Sequence, residues 1–111
     1  VFLKQVKETL GSGCIRHSSL LKKPVKKVAV LGGSGSFAID KAIAAGADIF
    51  ITADLKYHDF YKAEQRLVLA DVGHYESEQY TKNLLASFLK TKFANFAVVL
   101  SNTETNPIKY F

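Results

Sequence analysis

Short, mainly apolar runs alternate with helix-like segments along this chain, and no other feature limits its fold as strongly. Strands are predicted at residues 14–17, 27–31, 48–52, 67–71 and 96–100. The run at 27–31 is continuously apolar, which is typical of a strand covered on both faces. Because strands that alternate with helices form parallel sheets, the sequence predicts an α/β fold. We expect one compact domain with a mixed, largely parallel sheet flanked by helices on both faces.

Helical periodicity and glycine stops predict four helices around these strands. They cover residues 2–10, 37–45, 56–65 and about 75–91. The last and longest has an apolar stripe at helical spacing, which we expect to be buried. The stripe consists of Tyr80, Leu84, Leu85, Phe88 and Leu89.

Length and composition limit the class of protein. A chain of 111 residues supports one domain. No apolar run reaches the ~20 residues of a membrane span, and no signal peptide opens the chain. The single cysteine, Cys14, cannot form an internal disulfide, so we expect the reducing cytoplasm. The chain lacks methionine and starts at Val1 within an amphipathic pattern, so we interpret residues 1–111 as part of a longer protein.

The net charge of +5 lies in the first part of the chain. Residues 1–41 carry eight Lys or Arg and two acidic residues. A basic segment of this kind can bind nucleic acid, but residues 22–27 are four lysines around a Pro-Val pair, with no aromatic residue between them. A solvated turn leading into a strand explains this segment better, and a nucleic-acid partner is disfavoured.

Three strand-to-helix junctions are rich in polar residues, and ligands of α/β sheets bind at such junctions. The first contains Gly33, Ser34, Gly35 and Ser36. Glycines allow close backbone approach, and N–H groups at a helix start favour an anion. The spacing matches neither the P-loop nor the dinucleotide fingerprint. The alternative is a tight turn with a serine cap.

The second junction, residues 52–59, has Asp54, Lys56 and His58 within five residues. Lys56 can supply positive charge to an oxyanion or phosphate, and His58 can transfer protons near neutral pH. These are the candidate catalytic residues. The alternative is that Asp54 caps the following helix while Lys56 and His58 lie in solvent.

The third junction contains His74 and Glu78, four residues apart at a helix start. Side chains at this spacing share a helix face, so an imidazole and a carboxylate can converge on one cation, with Zn, Mn or Fe preferred. The alternative is structural: Glu78 faces the helix dipole and His74 caps. Cys14 and His17, three apart on one strand, point to opposite faces and are interpreted as structural.

Four segments in order resemble one known family. They are residues 30–36 (VLGGSGS), 53–59 (ADLKYHD), 71–78 (DVGHYESE) and 105–110 (TNPIKY). In these segments the chain is similar to the C-terminal part of the dinuclear-metal proteins called GTP cyclohydrolase 1 type 2 homologues, or NGG1-interacting-factor-three-like proteins. The resemblance extends from about Cys14 to Tyr110.

The resemblance implies a metal site that this chain cannot complete. Family members hold two divalent metals between two related α/β halves, and the histidine and glutamate of the C-terminal half match His74 and Glu78. Lys56 and His58 match a central segment of the family. The remaining ligands, a paired histidine motif and an aspartate, belong to the N-terminal half, and this chain has no adjacent histidines. The implied partner is therefore the missing N-terminal half, and the chain alone is expected to be inactive.

Two functions remain open from the sequence. The first is a metal-dependent hydrolase acting on a nucleotide-like or phosphate-bearing small molecule. The second is a non-catalytic binding or scaffold protein whose metals stabilise an oligomer, since family members form homo-oligomeric rings, often hexamers.

Overall fold

The computed structural model describes all 111 residues and has a four-stranded sheet at its centre. The strands are β1 (Arg16–His17), β2 (Val28–Ser34), β3 (Ile49–Ala53) and β4 (Val68–Asp71). The helices are α1 (Phe2–Leu10), α2 (Ile39–Ala44), α3 (His74–Glu78) and α4 (Thr81–Lys92), and 3₁₀ turns lie at Ser36–Ala38 and Tyr57–Ala63. None of the helices is long and apolar enough to cross a bilayer.

The strands lie in the order β1-β4-β3-β2, and the sheet is mixed. β2, β3 and β4 are parallel, while β1 is antiparallel to β4. The parallel strands therefore end at the same edge of the sheet, from which the chain enters the turn at 36–38, the turn at 57–63 and α3. The predicted α/β fold with a mixed, largely parallel sheet is confirmed.

Two apolar clusters cover the two faces of the central strands. Every residue of β3 and β4 is buried, and alternate side chains go to opposite faces. Phe50, 2% exposed, packs with Ile39 of α2 on one face, while Ile49 and Ile51 pack with α1 on the other. Burying a side chain such as Phe50 stabilises the fold by about 2–3 kcal/mol.

The strand β2 is less covered than its apolar sequence predicts. It is an edge strand, and Val30 is 71% exposed. Its pairing with β3 is irregular between Val30 and Ser34, where Gly32 and Gly33 follow one another. The prediction of cover on both faces was wrong because an apolar run does not specify whether a neighbouring layer exists to cover it.

The predicted helix at 75–91 is two helices, and its stripe is exposed. The chain turns at Gln79 and Tyr80 between α3 and α4, and Gln79 Nε2 donates to the Leu10 carbonyl at 2.7 Å. Whereas α3 packs against β2 and β3, only Ala86 of α4 is buried. The five stripe residues are 41–71% exposed, so the expectation of burial was wrong. Helical periodicity identified the apolar face but not what covers it.

The predicted strand at 96–100 is also absent. These residues form no strand, and Phe96 and Val99 are 73% and 88% exposed. A strand needs a hydrogen-bonding neighbour as well as an apolar run, and none lies beside this segment. We call Leu84, Leu85, Phe88, Phe96 and Val99 the apolar surface.

Asp48 anchors the lysine-rich segment, which is the exposed turn that its sequence predicts. Asp48 accepts a bond from Lys23 Nζ at 2.7 Å and from the N–H groups of Lys26 and Lys27 at 2.9 Å each. The bond from Lys23, followed by those from Lys27 and Lys26, holds the pKa of Asp48 far below its usual range.

Acid is therefore expected to remove the contribution of Asp48 to stability. Because its folded pKa is depressed, that contribution is complete above the unfolded carboxyl pKa of about 3.9 and is lost as the pH falls towards the folded value. The difference in melting temperature between wild type and Asp48→Asn should be clear at neutral pH and shrink below about pH 3.9. A difference that stays constant down to about pH 2.5 would contradict this.

Candidate metal centre

Side chains from all three predicted junctions meet at the carboxyl edge of the parallel strands. Ser34 ends β2, Asp54 follows β3 directly, and His74 and Glu78 are the first and last residues of α3. A chain of polar contacts joins them in the order Ser34, Asp54, His74, Glu78. We call these four residues the polar cluster.

His74 lies between two carboxylates. Its Nδ1 is 2.6 Å from Asp54 Oδ2, and its Nε2 is 3.2 Å from Glu78 Oε2. The three side chains are 45–50% exposed, so the cluster is open to solvent. The Ser34 hydroxyl donates to the same Asp54 oxygen. The imidazole and the Glu78 carboxylate therefore contact each other on one face of α3, as their spacing predicts.

The ionised Asp54 carboxylate determines which ring nitrogen of His74 carries the hydrogen. The Ser34 hydroxyl and then His74 lower the pKa of Asp54, whereas the bond to Asp54 raises the pKa of His74. An ionised carboxylate can only accept hydrogen bonds, so Nδ1 carries a hydrogen that it donates to Asp54. In the neutral imidazole, the lone pair is then on Nε2, beside Glu78.

This arrangement suits a divalent cation in donor type but not in donor number. An imidazole nitrogen and a carboxylate oxygen are ligands for Zn, Mn or Fe, and metal-binding histidines commonly donate their other N–H to a carboxylate. No group of three or more His, Cys, Asp or Glu side chains is arranged to hold a metal. His74 and Glu78 provide two donors, fewer than the three or four of a zinc site.

The Gly33 backbone lies directly against the side chains of His74 and Glu78. A methyl group there would lie 2.5 Å from Glu78 Oε1 and 3.3 Å from His74 Nε2, and φ is +70°. Its N–H donates to Ser77 Oγ at 2.8 Å, and its carbonyl accepts from Thr52 Oγ1 at 3.0 Å. The backbone of Gly33 is thus already hydrogen-bonded within the fold.

Of the two interpretations of the glycine-rich junction, the structure tests the serine cap. No side chain caps the 3₁₀ turn at Ser36–Ala38 or the helix α2, so a serine cap was wrong. Gly35 N donates to the Ala53 carbonyl. Anion binding by Gly33, Ser34, Gly35 and Ser36 stays a prediction.

Alanine at position 33 is expected to disturb the site, whereas alanine at position 32 is not. A left-handed backbone costs an L-residue about 1–2 kcal/mol, and the new methyl group would also displace the Glu78 carboxylate. Gly32 is the matched control, because a methyl group there would have no neighbour nearer than 3.5 Å. Urea unfolding of Gly33→Ala and Gly32→Ala would measure the difference; equal stability of the two variants would contradict it.

Lys56 and His58, the candidate catalytic residues, are not part of the hydrogen-bonded polar cluster. Both side chains are exposed at the start of the Tyr57–Ala63 turn, as the structural alternative predicts. The His58 ring contacts those of Tyr57 and Tyr61, with centroids 5.1 and 6.2 Å away. No hydrogen bond or ion pair joins Lys56 or His58 to the cluster. Their catalytic roles stay predictions.

Asp54 is the site residue that sequence reasoning missed. Its interpretation as a helix cap was wrong, because Asp59 Oδ2 accepts from the Lys56 N–H at the start of that turn. A carboxylate immediately after a buried strand was the available signal. Cys14 and His17 are exposed; His17 Nδ1 is 2.8 Å from the Ser18 carbonyl.

Comparison with known families agrees with this fold. The model of the family Duf34/NIF3 (NGG1p interacting factor 3) matches residues 1–107. The chain belongs to this family. A GTP cyclohydrolase 1 type 2 homolog of Staphylococcus epidermidis is 35% identical to the NIF3-family chain over an alignment of 113 residues that covers 98% of this chain and 31% of that protein.

Two further relatives support the assignment to NIF3. A GTP cyclohydrolase 1 type 2 homolog of Campylobacter jejuni is 36% identical, over 96% of this chain and 42% of that protein. The crystal structure of Staphylococcus aureus protein SA1388 matches with a TM-score of 0.83 at 30% identity, over 99% of this chain and 37% of that one. The NIF3-family chain thus spans less than half the length of these relatives.

Proposed function

We propose that this chain supplies His74 and Glu78 as ligands of a divalent-metal site in a hydrolase-like protein. The observation that carries the proposal is the convergence of His74 Nε2 and Glu78 Oε2, 3.2 Å apart, with Nδ1 held by Asp54. Zn, Mn or Fe is the expected metal.

The full site is proposed to hold two ions, with the other ligands supplied by the N-terminal half of the parent protein. Two such ions would activate a bound water and stabilise the leaving oxygen of a displacement. Within this chain, Asp54 orients His74, and Gly33 leaves room for Glu78. Lys56 and His58 would bind substrate or move protons, and the loop at 33–36 would hold an anion.

The proposed reaction is hydrolysis of a nucleotide-like or phosphate-bearing small molecule. Full-length protein should be screened against nucleotides and phosphoesters before and after treatment with a chelator. Turnover that disappears with the chelator and returns with Zn, Mn or Fe would support the enzyme. Absence of turnover from the metal-loaded protein across the panel would contradict it. The cytoplasm as its location stays a prediction.

The second candidate is a metal-stabilised oligomeric scaffold, and the apolar surface favours it. Its five large apolar side chains are 57–88% exposed, and extensive apolar surface left open to water is typical of an interface with another protein. The N-terminal half and further copies of the parent protein are the proposed partners. If the full-length protein is a ring that dissociates when its metal is removed, without turnover in the screen, the scaffold is the better description.

Asp54→Ala is expected to weaken metal binding about 10–100-fold, the usual effect of losing a carboxylate that orients a metal-binding histidine. The matched control is Asp40→Ala, an exposed carboxylate in the first turn of α2. Zinc titration of the full-length variants against a competing chelator would measure both. Equal affinities of Asp54→Ala and wild type would show that the contact between Asp54 and His74 does not support the metal.

A further inference from the structure

A cavity of about 540 Å³ lies beside the polar cluster and has no assigned role. One wall carries His74, Glu78 and Lys82, from α3 and the start of α4. The other wall is the chain segment 101–108. The volume is within the range of small-molecule sites, about 300–1,000 Å³. Because His74 and Glu78 line it, this cavity is continuous with the proposed metal site.

The second wall is fixed to the fold by side-chain contacts. Lys82 Nζ donates to the Ser101 carbonyl at 3.1 Å, and Asn106 Nδ2 donates to Glu76 Oε1 at 3.4 Å. Glu76 is only 6% exposed, so the second contact ties the segment to the interior. The Asn106 side chain also accepts from the Ile108 N–H at 3.1 Å. The cavity is therefore bounded by an anchored segment.

The chemistry of the lining favours an organic anion. Lys82 is the only lysine or arginine that lines the cavity. Glu78 is the only carboxylate in the lining, and it contacts His74. Thr103 and Thr105 add hydroxyl groups, while Pro107 and Ile108 add apolar surface. An ammonium group and hydroxyls bind phosphate or carboxylate oxygens, and carbon surface favours an organic group over a bare inorganic ion.

We propose that this cavity is the substrate subsite of the metal centre and takes a small organic phosphate or carboxylate, with Lys82 as its anion-binding residue. This inference rests on the proposed function, which places the reacting group of the substrate at the metal site. It assigns the anion contact to Lys82, which lines the cavity with His74 and Glu78. Neither Lys56 nor His58 lines this cavity.

The test uses full-length protein with AMP and inorganic phosphate as probes, measured by calorimetry. Lys82→Gln should weaken AMP binding about fivefold or more, the effect of losing one charge-assisted hydrogen bond. Lys82→Arg should retain binding, because it keeps the charge. Lys90→Gln is the matched control, an exposed lysine of the same helix that does not line the cavity. AMP should bind more tightly than phosphate.

Two results would overturn the subsite: equal AMP binding by Lys82→Gln and Lys90→Gln, or equal losses in Lys82→Gln and Lys82→Arg. Metal content measured on the same samples separates this inference from the proposed function. Protein that binds metal but shows no dependence on Lys82 refutes the subsite alone. Protein without metal whose AMP binding depends on Lys82 refutes the metal site and leaves the subsite standing.

Discussion

Replacing Asp71 with alanine is expected to lower the free energy of unfolding by about 3 kcal/mol or more. The Asp71 side chain is 6% exposed at the end of β4. It accepts from the Leu55 N–H at 2.9 Å and the Gly73 N–H at 3.1 Å, and it pairs with the Arg16 guanidinium. Removing the carboxylate leaves the N–H group of Leu55 buried without an acceptor, which is the main cost.

The Arg16 contribution to this loss should be small, because the Arg16 side chain is 56% exposed and can be hydrated. Urea unfolding of Asp71→Ala should therefore show a much larger loss than Arg16→Ala. Glu64→Ala is the exposed-acid control, since Glu64 pairs only with Arg66 at the surface, and it should change stability by less than about 0.5 kcal/mol. An Asp71→Ala protein within about 1 kcal/mol of wild type would contradict the structural role of this carboxylate.

The central strands of the sheet were predictable because their apolar runs can be recognised in the sequence alone. The runs at 48–52 and 67–71 lie within one residue of the observed β3 and β4. Both strands are buried on both faces, so an uninterrupted apolar run describes their surroundings correctly. The two-residue strand β1 is held by its register with β4, which a local pattern cannot supply, and its predicted length was too great.

The C-terminal part was less predictable because burial depends on a partner. Phe88 and Val99 carry the apolar character of a helix face and of a strand, and both are exposed. Periodicity shows which side chains favour burial, but no pattern within 111 residues reveals whether another surface is present to cover them.

The candidate site also has one part that the sequence predicts locally and one part that depends on long-range packing. The four-residue spacing of His74 and Glu78 is local, so a helix start alone placed the two groups together. The contact of Asp54 with His74 crosses 20 residues, and the approach of Gly33 to Glu78 depends on how β2, β3 and α3 pack. These long-range contacts follow from register and packing, which the sequence pattern does not contain.

The metal content of full-length His74→Ala protein reports on the proposed metal site itself. Removing the imidazole takes away one of the two donors proposed for this chain, and Glu78 alone cannot replace it. We expect elemental analysis to show the loss of at least one metal equivalent per protomer relative to wild type. His17→Ala is the matched control, because His17 is exposed and contacts only a neighbouring carbonyl, and it should keep the wild-type metal content. A His74→Ala protein with the same metal content as wild type would contradict the proposed metal site.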